Sequence, residues 1–361
     1  MPDLAVGDVI ETVRREVERT AFRARNGIKY VRGSQWAPIG PTPSETVWQQ
    51  GKVQLRHYRR DTPPTLGPPV LAFLGMVGRA YVFDLWKNNS IAQLLMDAGF
   101  DVFVLDWGEP GEEDAVNTLE TYLAGVLPRA IKAVERQTGA GEVSLIGYCM
   151  GGNLALHALA AQPELPVRNL VTMATPVDFR HLGPLIDALA NGKIDLDSVL
   201  DQTGNVPGAL VRQSFKARKP TADLVNYVNL WQNLWNDDYM EGFQAIGRWL
   251  QDHIPVPGAL FKQAVQQWIQ DNGFMTDRLK LGNRRVSLGA IRVPTLAVIA
   301  ERDDIVPEPA TAPITEILTG AEVELMRLDA GHASLTSGRK AVKVLLPQVL
   351  DWLARHSEEI A

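Results

Sequence analysis

Cysteine occurs once in 361 residues, as Cys149. A single thiol excludes an internal disulfide and argues against a metal site built from cysteines. No metal and no resident cofactor are expected. Neither sign of charge dominates: 36 Lys and Arg face 42 Asp and Glu, a net of −6. That balance disfavours nucleic acid as the main partner. No stretch approaches the roughly 18 apolar residues of a membrane-spanning helix. The first 25 residues hold no apolar run like that of a secretory signal. A lone thiol suits a reducing compartment, so the expected location is cytoplasmic. Internal repeats and low-complexity tracts are absent.

The chain has the composition of a soluble globular protein, 45% hydrophobic and 22% charged. Residues 1–35 read as an N-terminal helix and a turn; up to Arg25 the helix is amphipathic, with Val9, Ile10, Val13, Val17 and Phe22 among Glu and Arg. Residues 47–58 read as an early strand. Compact apolar runs at 70–74, 100–106, 143–146 and 169–174 read as buried strands. Helical stretches at 90–98, with Ser90 as N-cap, 119–137 and 153–161 alternate with them. This alternation predicts an α/β fold with a mainly parallel central sheet flanked by helices. From about Pro176 to Leu288 it stops, in a helical segment carrying Trp231, Trp235, Trp249 and Trp268. Strands resume at 295–300 and 323–328, and a helix at 340–354 closes the chain. The expected organisation is an N-terminal helical extension (1–45), an α/β core (46–176 and 289–361) and an inserted helical cap (177–288). Sites in such sheets lie at the carboxyl ends of the strands, where the cap would cover them.

Cys149 stands in Gly147-Tyr148-Cys149-Met150-Gly151, between an apolar strand and a helix. That is the strand–turn–helix context of the nucleophile elbow of α/β-hydrolases, with Cys for Ser. The nucleophile takes a strained backbone conformation there, and the glycines let strand and helix pack closely. The alternative for an isolated motif of this kind is a buried structural thiol. In this fold an acid and then a base follow the nucleophile in chain order. After the strand at 295–300 comes Glu301-Arg-Asp303-Asp304-Ile-Val-Pro307; Asp303 is chosen over Asp304 as the acid. Either Asp alone also reads as a cap of a helix over 308–318. After the strand at 323–328 comes Gly331-His332, the expected base; alone, His332 reads more readily as a loop residue bonded to backbone. Three positions in order, each in its own context, favour a working triad. His157, on the elbow helix, reads as structural. His253 lies in the cap, where substrate contact is the alternative to a structural role. Backbone N–H groups of Met150 and of Met76 or Val77 are the expected oxyanion hole.

Further stretches carry a family resemblance. They are Leu74-Gly-Met-Val-Gly-Arg-Ala-Tyr-Val-Phe-Asp-Leu85 with Asn89-Ser90, Gly99-Phe-Asp-Val-Phe-Val-Leu-Asp-Trp-Gly108, the elbow itself and Ala174-Thr-Pro-Val-Asp-Phe179. Asn233-Leu-Trp-Asn-Asp237, Pro257-Gly258, Asp303-Asp-Ile-Val-Pro307, Gly331-His332 and Asp351-Trp-Leu continue it. Over roughly residues 45 to 355 the chain resembles polyhydroxyalkanoate synthases, in length the class III and class IV catalytic subunits. It differs in carrying Asp304 where many members have His, and Ala333-Ser334 after His332.

The resemblance implies an acyltransferase that polymerises (R)-3-hydroxyacyl-coenzyme A and releases coenzyme A. Cys149 would hold the acyl group as a thioester, His332 would be the base and Asp303 its support. It also implies a growing polyester as ligand, a second synthase subunit, self-association, and a place in the cytoplasm or at polymer granules. A Trp-rich cap would keep water from the acyl-enzyme. The rival readings are a Cys-dependent thioesterase or intracellular polyester depolymerase on the same fold, and a catalytically weak granule- or subunit-binding protein.

Overall fold

The computed structural model describes residues 6–33, 38–217 and 222–360, with the side chains of 6–10 and 222–226 left aside. The expected contributions of Val9 and Ile10 therefore lie outside the described residues, as do parts of the expected N-terminal turn.

Strand β1 (Ser44–Gln50) and β2 (Val53–Tyr58) form an antiparallel hairpin. The single strand expected over 47–58 is thus two strands, divided at Gly51, whose φ of +58° makes the turn. β3 (Leu66–Leu74) follows, then a small pair, β4 (Asp84–Trp86) and β5 (Asn89–Ser90), and then β6 (Phe100–Asp106), β7 (Val143–Tyr148) and β8 (Val167–Met173). Two further small pairs stay apart from the main sheet: β9 (Asn205–Val206) with β10 (Val256–Pro257), and β11 (Lys280–Leu281) with β12 (Arg284–Arg285). β13 (Thr295–Ala300), β14 (Val323–Leu328) and β15 (Glu358–Glu359) complete the set. The main sheet runs β1-β2-β6-β3-β7-β8-β13-β14, with β15 beside β3. From β6 to β14 every pairing is parallel.

Helices cover both faces, which is why the central strands read as unbroken apolar runs. Alternate side chains divide between two cores. Leu71, Phe73, Phe103, Leu105 and Leu145 join the elbow helix on one face. Val70, Ala72, Val102, Val104, Ile146, Tyr148 and Trp352 fill the other. Ser90 caps its helix as expected, its Oγ accepting from Gln93 N at 3.0 Å. The helix expected over 308–318 is two short ones, Glu308–Thr311 and Ile314–Ile317. Pro307 is the N-cap of the first, so neither Asp303 nor Asp304 caps it.

The N-terminal helix (Val6–Val31) lies against the 233–237 corner. Asn26 donates to Leu234 O at 2.8 Å, and Arg25 pairs with Asp237. Val13 and Val17 point to solvent. Trp231 is exposed as well, whereas Trp268 is buried with Phe179 and Phe274 in the core that holds the elbow helix. No helix among the described residues is long and apolar enough to cross a membrane.

Asn89 is fully buried. Its Nδ2 donates to Thr336 O at 2.8 Å and its Oδ1 accepts from Gly338 N at 2.6 Å. Asn89→Ala leaves both backbone groups unpaired. The expected loss is about 1–3 kcal/mol, read as a lowered midpoint in urea or thermal unfolding.

Candidate active site

Cys149 follows β7 and precedes the elbow helix (Met150–Ala161). Its φ of 55° and ψ of −124° fall where side chains are disfavoured. Hydrogen bonds on both sides hold it there. Its N–H donates to Met173 O at 2.8 Å; its carbonyl accepts from Gly152 N at 2.9 Å and from Thr175 Oγ1 at 3.0 Å. A Cβ on Gly147 would sit 2.7 Å from Gly152 Cα, which explains the glycines flanking the turn. A Cβ on Gly75 would sit 2.3 Å from Met150 Cβ, so the loop after β3 is pressed onto the elbow.

His332 Nδ1 meets Asp303 Oδ2 at 2.7 Å. The other oxygen, Oδ1, accepts from the backbone N–H of Ile305 and of Val306, each at 2.8 Å. The carboxylate is thereby oriented, and Asp303, not Asp304, bears on the imidazole. Asp304 lines the cleft instead. On its other side His332 faces Cys149, which acts electrostatically on the imidazole. Burial disfavours the imidazolium, but interactions with the facing Cys149 and with Asp303 outweigh it and raise its pKa from 6.5 to about 10.

Tyr148 and Thr175 belong to the site although sequence reasoning assigned them nothing. The Tyr148 hydroxyl donates to the backbone carbonyl of His332 at 3.0 Å, and its ring stacks on the imidazole at 5.3 Å. Tyr148 lies inside the elbow motif, so its position was the available signal; Thr175 carried none.

Met150 begins the elbow helix, whose N-terminal end favours developing negative charge. Of the two candidates after β3, Val77 lines the cleft with Cys149, while Met76 is buried in the core away from it. The cleft has a volume of about 2110 Å³, with Leu74, Trp86 and Trp249 among its apolar lining. His157 is buried and neutral, its pKa lowered to about 4 by burial. Its Nδ1 accepts from Trp268 Nε1 at 3.3 Å, and its Nε2 meets Lys280 O at 3.1 Å. His253 lines the cleft. Among the described residues no group of three His, Cys, Asp or Glu is placed to hold a metal ion.

Residues 68–338 match the alpha/beta hydrolase fold family. The poly(3-hydroxyalkanoate) polymerase subunit PhaC of Allochromatium vinosum is 30% identical over 330 residues, covering 91% of this chain and 92% of that protein. The chain belongs to the poly(3-hydroxyalkanoate) polymerase family. The polymerase subunit of Haloferax mediterranei is 31% identical over 322 residues, 89% of this chain but 65% of that longer protein. An esterase from Thermogutta terrifontis shares the fold at 20% identity and a TM-score of 0.50, covering 87% of this chain and 98% of the esterase. In this chain Cys149 stands where the general hydrolase elbow has Ser.

Asp303→Asn removes the charge that supports the His332 imidazolium and lowers its pKa from about 10. Alkylation of Cys149 by iodoacetamide at neutral pH should slow about tenfold or more, with about a twofold change at most for Asp304→Asn. Equal rates for both variants would reject Asp303 as the partner. The raised pKa also adds stability that is complete below pH 6.5 and lost as pH rises through about 10. A wild-type unfolding curve that is flat between pH 8 and 11 would contradict it.

Proposed function

We propose that this chain is the catalytic subunit of a polyester synthase acting on (R)-3-hydroxyacyl-coenzyme A. The observation that carries the reading is a thiol nucleophile at the elbow, facing an imidazole held by a buried carboxylate. Relatives matched along nine-tenths of the chain and named as polymerase subunits support it.

The Cys149 thiolate attacks the thioester carbonyl, and the tetrahedral oxyanion forms beside the N–H groups of Met150 and Val77. The C–S bond to coenzyme A breaks, and the His332 imidazolium gives the leaving thiolate its proton. The acyl group now sits on Cys149 as a second thioester, with nearly the activation of the first. His332, again neutral, takes the proton from the 3-hydroxyl of an incoming unit, and that oxygen attacks the acyl-enzyme. An ester forms, and the Cys149 thiolate leaves. Asp303 keeps the imidazole in the tautomer that presents Nε2 to these protons. No cofactor enters any step.

The competing reaction is attack by water. Leu74, Trp86 and Trp249 give the cleft an apolar wall that favours the alcohol. The partners proposed are the growing polyester, a second synthase subunit and further copies of this chain, at the surface of the polymer granule in the cytoplasm.

Incubation with 3-hydroxybutyryl-coenzyme A, with and without a candidate partner subunit, tests the reading. Insoluble polymer with release of coenzyme A is expected. Free hydroxy acid alone identifies a hydrolase, and no turnover under either condition rejects catalysis. Cys149→Ser should lower turnover by orders of magnitude with the circular dichroism spectrum unchanged; near-normal activity would reject the thiol mechanism.

A further inference from the structure

Several basic side chains line the same cleft as Cys149, and two of them are already paired with carboxylates. Arg302 pairs with Asp329, and Arg339 with Asp238. Arg212, Lys216 and Arg248 have no carboxylate partner among the described residues. They gather where the helix Asp237–Trp249 ends. Arg212 and Lys216 are one turn apart on the helix Gly208–Ala217, so they share a face. Arg212 Nη1 donates to Gln251 O at 3.4 Å, which brings that helix to the 248–253 segment. Phe215, between the two, lies against His253, with ring centroids 5.2 Å apart. His253 Nδ1 is buried with no hydrogen-bond partner. Asp252, which lines the same cleft, is engaged by Arg79 Nε at 3.2 Å and by the Tyr81 hydroxyl at 3.0 Å.

Three unpaired cations, an aromatic ring and an unsatisfied imidazole nitrogen suit a ligand that is polyanionic at one part and flat at another. Charge-assisted hydrogen bonds to phosphate are strong, and an aromatic ring offers a stacking face to a base. We propose that Arg212, Lys216, Arg248, Phe215 and His253 form the subsite for the adenosine phosphate end of a coenzyme A thioester whose acyl end lies at Cys149. The proposal rests on the synthase reading above and adds the handle by which the substrate is held. It also separates two routes: the nucleotide is gripped from the cap, and the acyl group reaches the thiol along the rest of the cleft.

The test compares two substrates bearing the same acyl group, one on coenzyme A and one on pantetheine, which lacks the nucleotide. For Arg212→Gln/Lys216→Gln, kcat/KM should fall about tenfold or more further for the coenzyme A thioester than for the pantetheine thioester. The loss should lie in KM, shrink at high salt and be largely restored in Arg212→Lys/Lys216→Arg. Equal losses on the two substrates, or no loss on either, would overturn the subsite. Calorimetric titration with free coenzyme A separates this outcome from failure of the synthase reading. If wild type turns over neither thioester yet binds coenzyme A, and the double variant does not, the synthase reading falls and the subsite stands. If wild type does not bind coenzyme A, the subsite falls.

Discussion

The site depends on one residue's backbone being held where a side chain is disfavoured. Cys149 adopts a positive φ at the junction of β7 and the elbow helix. Such a conformation costs about 1–3 kcal/mol and persists only where its surroundings over-determine it. Here those surroundings are the end of β8 through Met173, the first turn of the helix through Gly152, and the Thr175 hydroxyl. The same turn places the thiol at the N-terminal end of the elbow helix, and the close packing of Gly147 on Gly152 is what permits it.

The base is tied to that geometry from two directions. Asp303 is fixed by the N–H groups of its own loop and fixes the imidazole in turn. Tyr148, immediately before the nucleophile, grips the His332 backbone and stacks on its ring. Asn89 then holds the segment that follows, at Thr336 and Gly338. Loops after β3, β7, β13 and β14 meet here, because parallel strands all present their carboxyl ends on one side.

Much of this was legible in the sequence for physical reasons. Parallel strands buried on both faces leave compact apolar runs, and those at 100–106 and 295–300 have the bounds of β6 and β13; the edge strand β14 has the bounds expected at 323–328 although it is half-exposed. Cys149, Asp303 and His332 could be read because each follows a strand, and the fold fixes their order. The hairpin of β1 and β2 was not, because its strands are half-exposed and Gly51 interrupts a run with little apolar contrast. Thr175 and Asn89 escaped because a neutral polar residue bonded to backbone leaves no pattern in the chain. Met76 and Val77 could not be told apart from sequence, since both are apolar and adjacent; only the turn after Leu74 sends one into the core and the other toward the cleft.

The burial of Trp268 has a consequence for how this architecture arose and how it can be engineered. Its ring, with Phe274, fills the layer that supports the elbow helix, and its indole N–H satisfies His157. Whatever covers the thiol is therefore rooted in the foundation beneath it. Excising the whole intervening stretch, or grafting one from another protein, would open a hole under the nucleophile; exchange of substrate-facing parts has to stop short of that anchor.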